Sequence, residues 1–206
     1  MISLVIASHN PHKIQELQTV LEAQHIACVV PPNTVREFPK HIPETGATLE
    51  ENAYIKAVAV FHATGQACIA DDTGLEVDVL GGAPGVYTAR YAGESASYAE
   101  NRAKLLKALE GVAPEQRTAR FRTVICYHDA LRISFAEGVC EGRIAQEERG
   151  EEGFGYDAVF IPSGYNTTFA EMRPEAKHAV SHRGKALRKL AAMLQAYQSG
   201  ENDTQV

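Results

Sequence analysis

The sequence predicts an α/β fold built on a mixed β-sheet flanked by helices. Two observations predict it. Strand-like and helix-like segments alternate through the first third of the chain, the pattern of parallel strands joined by helices. A long hairpin pattern follows near the middle, and hairpin strands run antiparallel, so the sheet is mixed and not all-parallel.

The elements follow in order. Residues 2–7 are an apolar run and read as a buried first strand. Asn10 and Pro11 then open a helix, because Asn is a good N-cap and Pro suits the first helical position. Ile14, Leu17 and Leu21 supply its inner face at helical spacing. Residues 26–30 read as a second strand, and 31–46, with four prolines and little periodicity, as a loop. Thr48-Leu49-Glu50-Glu51 has the form of a capping box, opening a helix with Ala53, Ala57, Val60 and Phe61 inside. A strand over 67–72 follows. A helix is expected over 96–109 with Tyr98, Leu105 and Leu109 facing in. The hairpin is expected over 119–127 and 131–141, turning near His128-Asp129, and another strand over 157–161. A final helix runs from about Ser181 to Tyr197 with Leu187, Leu190, Ala191 and Leu194 as its stripe.

Composition narrows the function. The 206 residues suffice for one large or two-lobed domain with a real core. The expected boundaries are a single domain over 1–198 and a polar tail over 199–206. A net charge of −6 disfavours nucleic acid as a partner, so any anionic ligand needs its cations concentrated locally. No apolar run reaches membrane-spanning length, and the N-terminal run lacks the basic start of a signal peptide. Cys28, Cys68, Cys126 and Cys140 are widely spaced in apolar stretches. They read as buried free thiols in a reducing cytoplasm.

Four motifs carry chemistry. In Ala70-Asp71-Asp72-Thr73-Gly74-Leu75 two carboxylates end a buried strand, which is costly unless a cation meets them. A divalent metal held by oxygen ligands is one such cation. Asp72 is the candidate to hold Mg²⁺, orient a water or accept its proton. Glu44 and Glu51 are candidates for further oxygen ligands, and Lys56 stands one helical turn beyond Glu51, where its plain reading is solvent exposure. The competing reading is a strand-end turn in which the acids cap backbone amides.

Ser8-His9-Asn10-Pro11-His12-Lys13 sits where a strand passes into a helix. Helix N-termini suit phosphate, and Lys13 adds a point charge. The glycines of a P-loop are missing. The plainer reading makes Asn10 only an N-cap and Lys13 only a solvated lysine. In Gly153-Phe154-Gly155-Tyr156-Asp157 the flanking glycines leave Phe154 open for a ligand ring to lie against. Asp157 is a candidate to read a base edge. The alternative is a glycine-bent strand entry with Phe154 and Tyr156 alternately buried. Finally, Lys177 precedes Ser181-His182-Arg183-Gly184, where two basic residues begin a helix against its dipole. The Arg183 fork suits the O6 and N7 acceptors of a purine, and Lys177 suits a phosphate or base carbonyl.

In this order, from Ser8 to about Leu194, the motifs resemble the inosine triphosphate pyrophosphatase family. The combination of Ala-Asp-Asp-Thr-Gly-Leu with Gly-Gly-Ala-Pro-Gly, Gly-Phe-Gly-Tyr-Asp and Ser-His-Arg-Gly carries that resemblance. It implies a two-lobed α/β fold with a long mixed sheet, usually in a homodimer. It implies Mg²⁺-dependent cleavage of dITP, ITP and XTP to monophosphate and pyrophosphate. Ser8, His9, Asn10, Pro11, His12 and Lys13 would line the triphosphate, and Asp72 would be the metal-linked general base beside Thr73. Phe154, Gly155, Tyr156 and Asp157 would hold the base, with Lys177, His182 and Arg183 closing over it. The chain departs from the family pattern at His9 and His12, where glycine is common, and at Thr73, where serine is commoner. It also has Pro43-Glu44 where some relatives carry two acids. Two other readings remain: a Maf-like pyrophosphatase acting on pyrimidine triphosphates, and a non-catalytic nucleotide sensor.

Overall fold

A computed structural model of the chain describes residues 3–29 and 38–199. Residues 31–37 of the loop expected over 31–46 thus lie outside the described residues, as do Ile2 and nearly all of the tail. The described chain is α/β, as expected. Strand β1 is Ser3–Ile6, helix α1 Pro11–Glu22, strand β2 Ala27–Val29 and helix α2 Leu49–Thr64. Strand β3 is Cys68–Val77, the short strand β4 Pro84–Gly85 and helix α3 Tyr98–Ala108. Strands β5 (Thr118–His128) and β6 (Ile133–Ile144) form the hairpin, followed by β7 (Phe160–Pro162), α4 (Pro174–Val180) and α5 (His182–Ser199).

The sheet is mixed. Its order is β2-β1-β3-β5-β6-β7, with β4 also on β3. β1 pairs in parallel with β2 and β3, while β3–β4 and β6–β7 are antiparallel. Short helical crossovers produce the first arrangement and direct turns the second. In the hairpin turn Asp129 Oδ1 accepts the N–H groups of Leu131 and Arg132, both at 2.8 Å, replacing ladder partners that the turn removes.

The chain divides into two compact units. The first comprises Met1–Asp72, Val124–Gly138 and Arg183–Val206, the second Thr73–Thr123 and Val139–His182. Each has its own core. In the first, Leu4, Ile6 and Ile69 of the sheet bury against Leu17 and Leu21 of α1 and Leu187, Leu190 and Leu194 of α5. In the second, Leu75, Phe121, Phe160 and Phe169 meet Leu105 and Leu109. Burial of such side chains stabilises by about 1.5–3 kcal/mol each.

Some expectations need correction. Tyr98 does not face in; it is 37 % exposed and opens α3, because Ser97 and Glu100 form the capping box that starts the helix one residue before it. The strand expected over 157–161 begins only at Phe160. Residues 156–159 instead curl, with the Phe160 and Val159 amides both donating to the Tyr156 carbonyl. At α2 half of the expected capping box forms: Thr48 Oγ1 accepts from the Glu51 amide at 3.1 Å, but the Glu51 carboxylate takes the Ala47 amide at 2.6 Å. Helix α4, seven residues long and opened by Pro174, was not expected at all.

Candidate active site

The acidic pair lies on β3, and consecutive strand residues point to opposite faces. Each carboxylate accordingly meets different helices of the first unit. Asp71 meets Lys13 of α1 at 3.1 Å and, from α5, Nε and Nη2 of Arg183 at 3.3 Å. Arg183 Nη1 in turn binds Glu16 of α1. Asp72 meets α2: Oδ1 accepts from Lys56 Nζ at 2.8 Å and Oδ2 from Asn52 Nδ2 at 3.4 Å. Lys56 Nζ also binds Glu44 at 2.8 Å, so two carboxylates converge on one ammonium.

Burial drives both carboxyls upward, and neighbouring cations oppose it. For Asp71 the cations win: Lys13, Arg183 and Lys56 outweigh burial and hold it well below the usual carboxylate range. For Asp72 burial wins over Lys56 and Lys13, with help from Glu44, and its carboxyl is raised. Burial lowers the Lys56 ammonium, but Asp72, Glu44 and Asp71 more than reverse this, so it stays charged. Two adjacent acids pushed in opposite directions divide their roles. Asp71 is a fixed anion that orders cations. Asp72 is the one suited to exchange a proton.

The phosphate-side motif divides in the same way. Asn10 caps α1, its Oδ1 accepting the amides of His12 at 3.0 Å and Lys13 at 3.3 Å. Those two donors are therefore taken by the cap. Ser8 Oγ accepts the Asn10 amide at 3.2 Å. Pro11 and His12 are exposed, as is His9, whose Nε2 bonds the Pro39 carbonyl at 2.8 Å. Lys13 is no solvated lysine, being committed to Asp71.

The second unit holds the aromatic motif. Asp157 Oδ2 accepts from the Phe154 amide and from Lys177 Nζ, each at 2.8 Å. This turn requires Gly153: its φ is +77°, and a Cβ there would stand 2.1 Å from Asp157 Oδ2. Arg102 Nη1 holds the Gly155 carbonyl at 2.8 Å. Phe154 is half-buried, with Tyr98 at 6.0 Å between ring centroids and the Lys177 ammonium 5.2 Å from its own. An aromatic ring and a buried ammonium thus stand together, a set that suits a flat ring bearing carbonyl acceptors. The Thr73 hydroxyl lies 2.7 Å from that of Thr123.

Three of the residues expected to contact a ligand are packed against or bonded to other parts of the protein. Tyr156 is core, its hydroxyl donating to the Thr88 carbonyl at 3.0 Å. His182 is buried and stacks on Phe121, with centroids 4.5 Å apart. Arg183 does not present a free fork to a base, since Nε, Nη1 and Nη2 are turned to Asp71 and Glu16. Two buried carboxylates are stronger partners for a guanidinium than a neutral base edge. Asn52, Glu16 and Arg102 were not singled out in the sequence. Lys56 was, but with solvent exposure as its plain reading, and it is 7 % exposed.

The cysteines fit the expectation of free thiols. Burial pushes Cys28 up to about 11, and Cys68 and Cys126 up to about 12, which leaves them protonated and unreactive. Among the described residues no helix is long and apolar enough to cross a membrane.

Comparison with known proteins bears out the resemblance. The family model described as the Ham1 family matches residues 4–193. A protein named dITP/XTP pyrophosphatase from Desulforamulus reducens is 47 % identical, covering 94 % of this chain and 96 % of its own. One of the same name from Bacillus subtilis is 45 % identical, covering 95 % and 98 %. Among solved structures, a HAM1 protein from Coxiella burnetii is 40 % identical with a TM-score of 0.83, covering 95 % of this chain and 99 % of its own. A nucleoside-triphosphatase, also named dITP/XTP pyrophosphatase, from Mycobacterium abscessus is 41 % identical with a TM-score of 0.71, covering 94 % and 99 %. With nearly the whole length matched and its motifs in order, the chain belongs to the Ham1 family.

Proposed function

We propose that this chain is a nucleoside triphosphate pyrophosphatase. It hydrolyses the noncanonical purine nucleotides dITP, ITP and XTP to monophosphate and pyrophosphate, with Mg²⁺, and so clears them from the nucleotide pool. The names of its relatives support the reaction class and substrate. The observation that carries the mechanism is the split acidic pair, with Asp71 held low and Asp72 raised.

The donor set fits Mg²⁺. Glu44 and Asp72 present carboxylate oxygens to one positive centre, at present the Lys56 ammonium. Among the described residues no group of three or more His, Cys, Asp or Glu side chains is gathered for a metal. Mg²⁺ needs no such cage, because it binds through one or two carboxylates, waters and substrate phosphates. Glu44 and Asp72 would hold it. When bound, it supplies neutralisation of charge on the phosphate oxygens as the anhydride breaks.

The remaining work falls to the chain. Lys13 beside Asp71 and Lys56 beside Asp72 and Glu44 receive the polyanion. Asp72 orients a water on the α-phosphorus and takes its proton. A P–O bond forms there, the α–β bridging P–O bond breaks, and pyrophosphate leaves. Phe154 and Lys177 receive the base, the ammonium favouring a ring carbonyl over the amino group of adenine. The free thiols are consistent with a cytoplasmic setting, and the resemblance with a homodimer.

The test is hydrolysis of dITP in H₂¹⁸O with Mg²⁺. We expect dIMP and pyrophosphate, with the label in dIMP and the reaction stopped by chelator. Label in pyrophosphate, or release of orthophosphate, would refute attack on the α-phosphorus.

A further inference from the structure

We propose that Arg102 is a positioning residue for recognition of the base, acting on the turn that carries Phe154 and Asp157. This rests on the pyrophosphatase reading and adds to it a residue of α3 that sets specificity. Arg102 is half-buried within the second unit. Its guanidinium is shared between two acceptors: Nη1 donates to the Gly155 carbonyl at 2.8 Å, and Nη2 pairs with Glu148 at 3.0 Å. Tyr98, one turn earlier on the same face of α3, sets its ring 6.0 Å from that of Phe154. One helical face therefore reaches the turn at two points, the Phe154 ring and the backbone that follows it.

The Gly155 carbonyl is where the turn needs outside support. The Asp157 amide donates to the Phe154 carbonyl at 3.2 Å, which makes Gly155 and Tyr156 the two central residues. That bond joins the ends of the turn and leaves the peptide between its central residues unsecured. At Gly155 φ is +63°, and a Cβ there would meet nothing within 4 Å, so side-chain packing does not fix this residue. Arg102 supplies the constraint, and Glu148 holds the guanidinium from its other side. The two ends of the turn carry the groups that receive the base. Phe154 is the ring to be stacked on, and Asp157 Oδ2 holds the Lys177 ammonium at 2.8 Å. Rotation of the central peptide would shift one end against the other, and with it the ammonium against the ring. A purine with a carbonyl at position 6 pairs with Lys177 only when that placement is kept. Adenine offers no carbonyl there and gains nothing from it, so Arg102 acts on discrimination between the two.

The test compares kcat and KM for pyrophosphate release from dITP and dATP with Mg²⁺, on the full chain, together with the thermal midpoint of each variant. Arg102→Met keeps the apolar stem and removes the donors. It should raise KM for dITP by about tenfold, the size of one charge-assisted hydrogen bond, with kcat within about threefold. For dATP kcat/KM should stay within about threefold, so the preference for dITP falls by about tenfold. The midpoint should move by about 4 °C at most, the scale of one hydrogen bond in a chain of this length. Arg102→Lys keeps the charge but has no fork. Its ammonium goes to the Glu148 carboxylate, the stronger acceptor, so it should lose as much preference as Arg102→Met. An unchanged ratio of dITP to dATP in either variant would overturn the proposal, as would an equal fall on both substrates, the mark of a merely structural arginine. Should Arg102→Met fail to fold, Arg102→Lys decides by the same ratio. A wild-type protein that releases no pyrophosphate from dITP, or that takes dATP equally, would sink the parent reading instead, so the two failures are distinct.

Discussion

Replacing Asp72 by Asn is expected to lower dITP turnover by about a thousandfold, the scale of a lost general base. The fold should survive. Burial already penalises the Asp72 anion, and the amide removes that penalty while leaving Lys56 paired with Glu44. The thermal midpoint should move by a few degrees at most. The pH dependence follows from the same environment. A carboxyl raised by burial takes up its proton at a higher pH than an ordinary aspartate, whose value is about 3.9. The acid limb of kcat/KM should therefore lie above that of an ordinary aspartate, and the small residual rate of the Asn variant should lack it. Unchanged turnover in the variant would remove Asp72 from the mechanism.

Arg183→Met should chiefly destabilise. Asp71 and Arg183 are both buried, and removing Arg183 leaves a charge whose desolvation Lys13 offsets only in part, a cost approaching about 3–5 kcal/mol. For a chain of this length that is roughly a 10 °C fall in thermal midpoint. The sign with pH is definite. Asp71 is held low in the fold, so its stabilisation is present above the unfolded carboxylate value and is lost as pH falls through the folded one. Without Arg183 the folded value rises, and acid unfolding should begin at higher pH. Differential scanning calorimetry across pH reads both effects. Unchanged stability together with collapsed discrimination between dITP and dATP would instead return Arg183 to reading the base.

The fold was largely legible because its signals are local. Asn10-Pro11 and Thr48 mark helix starts, and apolar runs mark β1, β3 and the hairpin. Helix α4 escaped because seven residues are too few to display a period. The strand expected at 157 failed because Asp157 bonds its own turn, a competition between side chain and ladder that an apolar run conceals. At the site, residue types were legible and partners were not. Asp71 and Asp72 demanded cations, but the sequence does not state that Lys13 and Arg183 serve one and Lys56 the other. One signal was present: Leu49, Asn52, Lys56 and Val60 share a helical stripe, which places a lysine on the buried face of α2. At Arg183 the sequence shows a basic residue set against the helix dipole, but not that Asp71 and Glu16 face it.

The central claim is a pyrophosphatase built on the Asp71–Asp72 pair and selective for purines with a carbonyl at position 6. The most direct measurement is kcat/KM for pyrophosphate release from dITP, XTP, dATP and dTTP under identical Mg²⁺. We predict that dITP and XTP exceed dATP and dTTP by about a hundredfold or more, the range available to a site that pairs a substrate polar group. Equal rates on dATP, or a preference for dTTP, would contradict it.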